Sequence, residues 1–305
     1  MQNNDYLVTF SSIIIDDILL WTGDISMGNI GGGGTHAIAG CGVWWDKVAI
    51  ATPVGVEDYD WITDDLTAAG IDISGITTLE KNTLRSWNIY HPDGTRIQVP
   101  RMKYEYETDS LPNFETLPER FSKAAGYHIQ TGRPKELLNQ IKEINPDAAV
   151  VYEPGRVGKD VNIKDFYSEI LPMVNVFSPN RNEGESITGE KDPVEMIRVL
   201  ESWGAPWVII RMGEKGSISG GEDGNLLEVP AAPAKVVDPT GAGNSYLGGL
   251  VCGIAQNRTR KECLAMAAVS ASFAIEQYGI AKPNNEERDR RFQVVMKEIV
   301  VRKQQ

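Results

Sequence analysis

Short apolar runs alternate with amphipathic stretches along most of the chain. Tyr6–Phe10, Ile13–Leu20, Lys47–Ala51, Ser86–Tyr90, Thr95–Val99, Tyr127–Gln130, Ala148–Tyr152, Val174–Phe177 and Trp207–Arg211 read as strands. Between several of them, residues 58–69, 134–144, 163–170, 193–202 and 244–256 space their apolar positions as helices do. Phe292, Val295, Met296, Ile299 and Val300 mark a last helix. Parallel neighbours need a long crossover, so this alternation predicts an α/β fold with a mainly parallel sheet between helices. No repeat, low-complexity tract or long linker interrupts it, and residues 1–305 read as a single domain.

One region departs from the alternation. Between Lys81 and Tyr106, two strand-like pieces are joined by His91-Pro92-Asp93-Gly94, a turn sequence, with no helix between them. A β-hairpin is predicted there. With strand material after Asp16 it would make a small projecting sheet from about residues 16–30 and 83–106. An unpaired strand edge invites a partner, and a homodimer through this sheet is the corresponding expectation.

Composition narrows the function. With 305 residues, 41% of them hydrophobic, the chain can bury a large core. The net charge of −12 argues against broad contact with nucleic acid or anionic membranes, while leaving room for a local basic pocket. No apolar run approaches the ~20 residues of a membrane span. The N-terminus has no basic region followed by an apolar core and cleavage site, which predicts a cytoplasmic protein without a signal peptide. Cys41, Cys252 and Cys263 have no metal-like spacing and read as buried reduced thiols. No two of His36, His91 and His128 stand four residues apart, which disfavours zinc; His91 falls in the turn, and His36 is the candidate for a site. Asp64 and Asp65 read as a solvated helix face.

The most telling segment is Asp238-Pro239-Thr240-Gly241-Ala242-Gly243-Asn244, before a helix whose buried face is Leu247, Leu250, Val251 and Ile254. Small residues at 241–243 let a ligand approach the backbone, and the first N–H groups of the helix favour an anion such as phosphate. No Lys-Ser/Thr follows, so this is not a Walker A loop. Tyr246 stands where a dinucleotide fingerprint needs its third glycine. A turn that only packs the helix is the alternative. Two more segments stand out. Ser178-Pro179-Asn180-Arg181-Asn182-Glu183 follows a strand and opens a helix, and by itself reads as a helix start. Val208–Gly216 reads as a strand and turn, with Arg211 either a phosphate partner or half of a surface ion pair.

Together these segments resemble the ribokinase-like (PfkB) sugar and nucleoside kinases, in the family's order and over nearly the whole chain. Asp238–Asn244 is similar to the family signature Asp-Thr-x-Gly-Ala-Gly-Asp, with Asn244 in place of the catalytic base. Asn180 and Glu183 match its Asn-x-x-Glu, and Gly213 and Gly216 its Gly-x-x-Gly. Asp16, or Asp17 if the register shifts by one, matches the sugar-binding Asp of the first strand. Gly31–Gly34, Thr35, His36 and Ala37 stand at its Gly-Gly-x-x-x-Asn-x-Ala, without the Asn. Val54–Asp58 resembles its Val-Gly-x-Asp.

The resemblance implies a three-layer sandwich with a β-lid. It implies transfer of the ATP γ-phosphoryl group to a hydroxyl of a sugar or nucleoside-like substrate, with ATP and Mg2+ as cofactors and room for a monovalent cation. Gly241, Ala242, Gly243 and Asn244 would form the catalytic loop. Asn180, Glu183, Arg211, Gly213 and Gly216 would serve the nucleotide, with Glu183 orienting magnesium through water. Asp16, Gly32, Thr35, His36 and Asp238 would hold the substrate. An amide cannot take the acceptor proton, and loss of a general base costs about 10²–10⁴-fold. Phosphoryl transfer depends mainly on positioning and electrostatics, so activity can survive, with Asp238 or Asp16 as substitute bases. The alternative is a pseudokinase that binds nucleotide or a sugar-like ligand without efficient transfer.

Overall fold

The computed structural model describes residues 5–101, 111–220 and 224–303. Its centre is a six-stranded sheet in the order β10-β9-β8-β1-β4-β5. The strands are β1 (Leu7–Phe10), β4 (Val48–Gly55), β5 (Ile71–Leu79), β8 (Gly126–Thr131), β9 (Ala149–Pro154) and β10 (Val176–Phe177). All five pairings are parallel. Successive side chains leave the sheet on opposite faces, and both faces are apolar. Leu7, Val48, Ile50, Ala149 and Val151 join one buried cluster. Val8, Phe10, Ala49, Val150 and Tyr152 join the other.

Helices cover each face. With the first cluster pack α1 (Gly32–Gly42), α8 (Ala242–Ala255) and α9 (Arg260–Ala274), through Ile38, Leu247, Leu250 and Leu264. With the second pack α4 (Lys135–Ile144), α5 (Ile163–Ile170) and α7 (Pro193–Ser202), through Leu138, Ile170 and Leu200. The short α3 (Glu119–Ser122) adds Phe121 to that side. The remaining helices are α2 (Tyr59–Ala68), α6 (Arg181–Thr188) and α10 (Asn285–Glu298). This is the three-layer α/β arrangement that the strand–helix alternation predicts.

Two smaller sheets flank the core. One joins β11 (Ile209–Arg211), β12 (Ser217–Gly220), β13 (Asn225–Val229) and β14 (Val300–Lys303), all antiparallel. Parallel bridges from Phe177 to Val208 and Asn180 to Arg211 tie it to β10. The other has the order β3-β2-β6-β7, from β2 (Ile14–Leu19), β3 (Ile25–Gly31), β6 (Leu84–Tyr90) and β7 (Arg96–Pro100). β6 and β7 form the hairpin around His91–Gly94, with Trp87 opposite Val99 and Asn88 opposite Gln98. His91 is exposed in that turn. Residues 102–106 of the stretch expected in this sheet lie outside the described residues.

Several elements are not evident in the apolar pattern. α9 is buried almost all round, so it has no polar stripe to reveal a helical period. α1 opens with three glycines, poor helix formers, and is held by packing instead. A Cβ at Gly248 of α8 would stand 2.0 Å from the Ala37 carbonyl, so the two helices meet backbone to backbone. β5 and β12–β14 were likewise outside the expected strands. Val300, expected in the last helix, is in β14, because α10 ends at Glu298. All three cysteines are buried, and none is in a disulfide among the described residues.

Candidate active site

The carboxyl ends of parallel strands are where α/β sheets place ligands. Here those ends meet the N-terminus of α8. Gly241 caps the helix with φ +77°, a left-handed conformation that favours glycine, and no side chain caps the helix. The N–H groups of the first turn therefore have no acceptor within the helix. The approach is held hard from behind. Val237 and Asp238 donate to the Ile275 carbonyl at 2.7 and 3.1 Å. Asp238 Oδ1 accepts from the Thr240 backbone at 2.9 Å and its hydroxyl at 2.6 Å. Burial raises the Asp238 carboxyl, against the lowering effect of Thr240.

Side chains crowd this turn where glycine leaves room. A Cβ at Gly241 would lie 2.0 Å from the His36 ring, and one at Gly243 would lie 2.1 Å from Arg211 Nη1. Arg211 is 8% exposed, so it is buried and not half of a surface ion pair. Its Nη2 donates to Glu153 Oε1 at 2.6 Å and to the Ser178 carbonyl at 3.0 Å. Glu153, at the end of β9, accepts from Asn244 Nδ2 through its other oxygen at 2.7 Å. His128 Nε2 stands 3.5 Å from that same oxygen. Burial pushes the Glu153 carboxyl up, but Arg211 and His128 outweigh it and hold the group below its ordinary range.

Asn180 and Glu183 form a reciprocal capping box at the start of α6. Asn180 Oδ1 accepts from the Glu183 N–H at 3.0 Å, and Glu183 Oε2 from the Asn180 N–H at 2.7 Å. Glu183 Oε2 is also 3.5 Å from Arg211. Burial raises the Glu183 carboxyl, partly offset by Arg211. Gly213 lies in an exposed turn, and Gly216 passes tightly over the Val229 carbonyl.

The small sheet faces the same cleft. Asp16, 3% exposed on β2, accepts from Ser86 Oγ on β6 at 2.9 Å and from the Gly32 N–H at the start of α1. Asp17 instead accepts from the Gly28 N–H at 2.8 Å and pairs with Arg101. The two neighbours are thus told apart, with Asp16 beside α1 and Asp17 serving its own sheet. Burial pushes the Asp16 carboxyl up to about 6, with Ser86 and Arg96 only partly opposing it. His36 is buried and held neutral, with its pKa down to about 4. Among the described residues, His36 Nε2 and Thr35 Oγ1 have no hydrogen-bond partner. Asp58 accepts from the Thr83 N–H at 3.1 Å and pairs with Arg85, joining the end of β4 to β6.

Several site residues were missed in the sequence. Glu153 carried a signal: a carboxylate at the end of the apolar run Ala149–Tyr152. Tyr90 and Arg96 carried none. The Tyr90 hydroxyl lies 2.8 Å from Thr240 Oγ1, linking the small sheet to the turn before α8. Arg96, on β7, is close enough to lower the carboxyls of Asp16, Asp238 and Glu183 together. Only the folded chain brings these positions to one cleft.

Residues 24–288 match the pfkB family carbohydrate kinase. The chain is 31% identical over 240 residues to a cytidine kinase of Thermococcus kodakarensis, covering 76% of this chain and 83% of that protein. The fold resembles that of Arabidopsis thaliana ribokinase complexed with ribose and ATP, with TM-score 0.72, 18% identity and coverage of 95% and 98% of the two chains. It also resembles Burkholderia thailandensis nucleoside kinase in complex with inosine, with TM-score 0.71, 17% identity and coverage of 95% and 97%. An uncapped helix N-terminus behind a Gly-Ala-Gly turn, at the carboxyl ends of a parallel sheet, agrees with these matches, and the chain belongs to the pfkB family of carbohydrate kinases.

Proposed function

We propose that this protein transfers the γ-phosphoryl group of ATP to a hydroxyl of a nucleoside, or of the sugar alone, held between the small sheet and the start of α8. The observation that carries this reading is the uncapped N-terminus of α8, reached through residues with no bulky side chain and bordered by Arg211 and His36. Its N–H groups suit the negative charge of a phosphoryl group in flight. Asp16 suits two vicinal hydroxyls, since a carboxylate accepts from both. The nucleoside preference is supported by the similarity to the cytidine kinase.

Asn244 sits where the acceptor hydroxyl must approach the helix. Its amide orients that hydroxyl but cannot hold its proton. As the acceptor oxygen bonds to phosphorus and the bond to the ADP oxygen breaks, the proton passes to an oxygen of the transferred phosphoryl group. Glu183 would hold magnesium through water: its carboxylate is 35% exposed, with one oxygen engaged in the capping box. When bound, the metal neutralises phosphate charge. Gly213 and Gly216 would border the nucleotide.

The test is calorimetry with ATP, followed by a transfer screen with cytidine, other nucleosides and ribose. ATP should bind and raise the melting temperature by mass action. Gly243→Val would drive a side chain into Arg211 and should abolish nucleotide binding. A parent protein that binds no nucleotide would overturn the reading. Binding without transfer to any alcohol would leave a nucleotide-binding pseudokinase.

The small sheet also supports a homodimer. Trp87, Ile97 and Val99 are exposed on the face opposite Ser86, Asn88 and Gln98, and Ile25 and Met27 are exposed on β3, across β2 from β6. A second copy of this sheet would cover them. Sedimentation should give a dimer at micromolar concentration, and Ile97→Lys should give a monomer. A monomeric parent would remove the proposal.

A further inference from the structure

Glu153 belongs to no motif in the sequence, yet it makes the one side-chain contact recorded for Asn244 among the described residues. It is 3% exposed and split between two partners: Oε1 takes Arg211 and Oε2 takes Asn244. An ionised carboxylate has no proton to donate, so Asn244 must offer it Nδ2. The planar amide then turns Oδ1 away from Glu153. With a partner able to donate, the flipped amide would fit equally well, because its two ends have nearly the same shape. We infer that Glu153 is a positioning residue that locks the Asn244 amide with its carbonyl toward the acceptor hydroxyl. The inference rests on the kinase reading for its catalytic part, and on the local geometry alone for the lock.

The same geometry bears on the missing base. A carboxylate at position 244 would stand against Glu153, with an oxygen replacing a hydrogen-bond donor at 2.7 Å. Like charges so close repel, so Asn244 and Glu153 form a matched pair. Returning Asp to position 244 should not by itself return a good base. It should do so only when position 153 becomes an amide able to donate to it.

The experiment is a double-mutant cycle over Asn244→Asp and Glu153→Gln. Glu153→Gln should lower kcat about 10-fold, the loss expected for one misdirected hydrogen bond, with KM for ATP and acceptor within about twofold. In 15N-labelled protein, the Asn244 side-chain NH2 should exchange slowly in the parent and quickly in this variant. Asn244→Asp should lower Tm by several degrees, and the exchanged pair N244D/E153Q should recover both Tm and kcat. Glu153→Asp keeps the charge near Arg211 but draws the carboxylate back, and should show the same kcat loss and faster exchange in a folded protein. The inference is overturned if Asn244→Asp is as stable as the parent, or if the Glu153 variants leave kcat and the Asn244 amide signal unchanged. If neither parent nor variants transfer phosphate, the kinase reading fails, and the amide signal with the Tm cycle decides the lock alone.

Discussion

Among the buried carboxylates that border the cleft, Glu153 and Asp16 have different surroundings. Glu153 is saturated: a guanidinium on one oxygen, an amide on the other and an imidazole nearby. Among the described residues, Asp16 has a hydroxyl and a backbone amide but no ion pair. Burial raises both groups, but only Glu153 has the charge to overcome it. A carboxylate compensated from within serves the framework. One left costly by burial gains most from a ligand that brings its own hydroxyl donors. On the proposed function, rigid positioning would fall under α8 and acceptor recognition under the small sheet.

The largest expected effect breaks the acceptor half. Asp16→Asn removes an acceptor of two charge-assisted hydrogen bonds, so kcat/KM for the acceptor should fall about 10²–10³-fold. The nucleotide affinity should hardly change. In the parent, kcat/KM for the acceptor should fall about tenfold per unit as pH drops below about 6, where Asp16 takes up a proton. In Asp16→Asn that limb should vanish. Equal loss of ATP binding, measured by calorimetry, would show that Asp16 is not confined to the acceptor side.

A smaller effect sharpens the comparison through stability. The Asp16 pKa is raised from 3.8 to about 6, so its contribution is fully present below pH 3.8 and is lost as pH rises through about 6. That is on the order of 3 kcal/mol at 1.36 kcal/mol per unit. His36 is lowered from 6.5 to about 4, so its contribution is present above pH 6.5 and is lost as pH falls through about 4. Between pH 6.5 and 4 the two oppose each other. Urea unfolding should therefore show Asp16→Asn losing stability faster than the parent on acidification, and His36→Gln losing it more slowly. Profiles parallel to the parent's would mean that neither group is desolvated as its burial implies.

The two halves of the cleft were unequally legible in the sequence. The parallel sheet and most helices followed from period, because elements buried on one side must show it. α1 and α9 escaped because near-complete burial erases the polar stripe. Position 244 drew notice at once, since a Gly-Ala-Gly turn before a helix is local chemistry. The sequence left Asp16 and Asp17 as alternatives, and only the fold shows that Asp16 is the one beside α1 while Asp17 pairs with Arg101.

What the sequence determined by itself was local: which segments are strands or helices, and which turn can approach an anion, since backbone freedom and side-chain size act over a few residues. The tertiary structure decided the rest. Glu153 meets Asn244 across 91 positions, and Tyr90 meets Thr240 across 150. Whether a buried charge is compensated depends on what the fold carries to within a few ångströms of it, and no spacing along the chain encodes that distance.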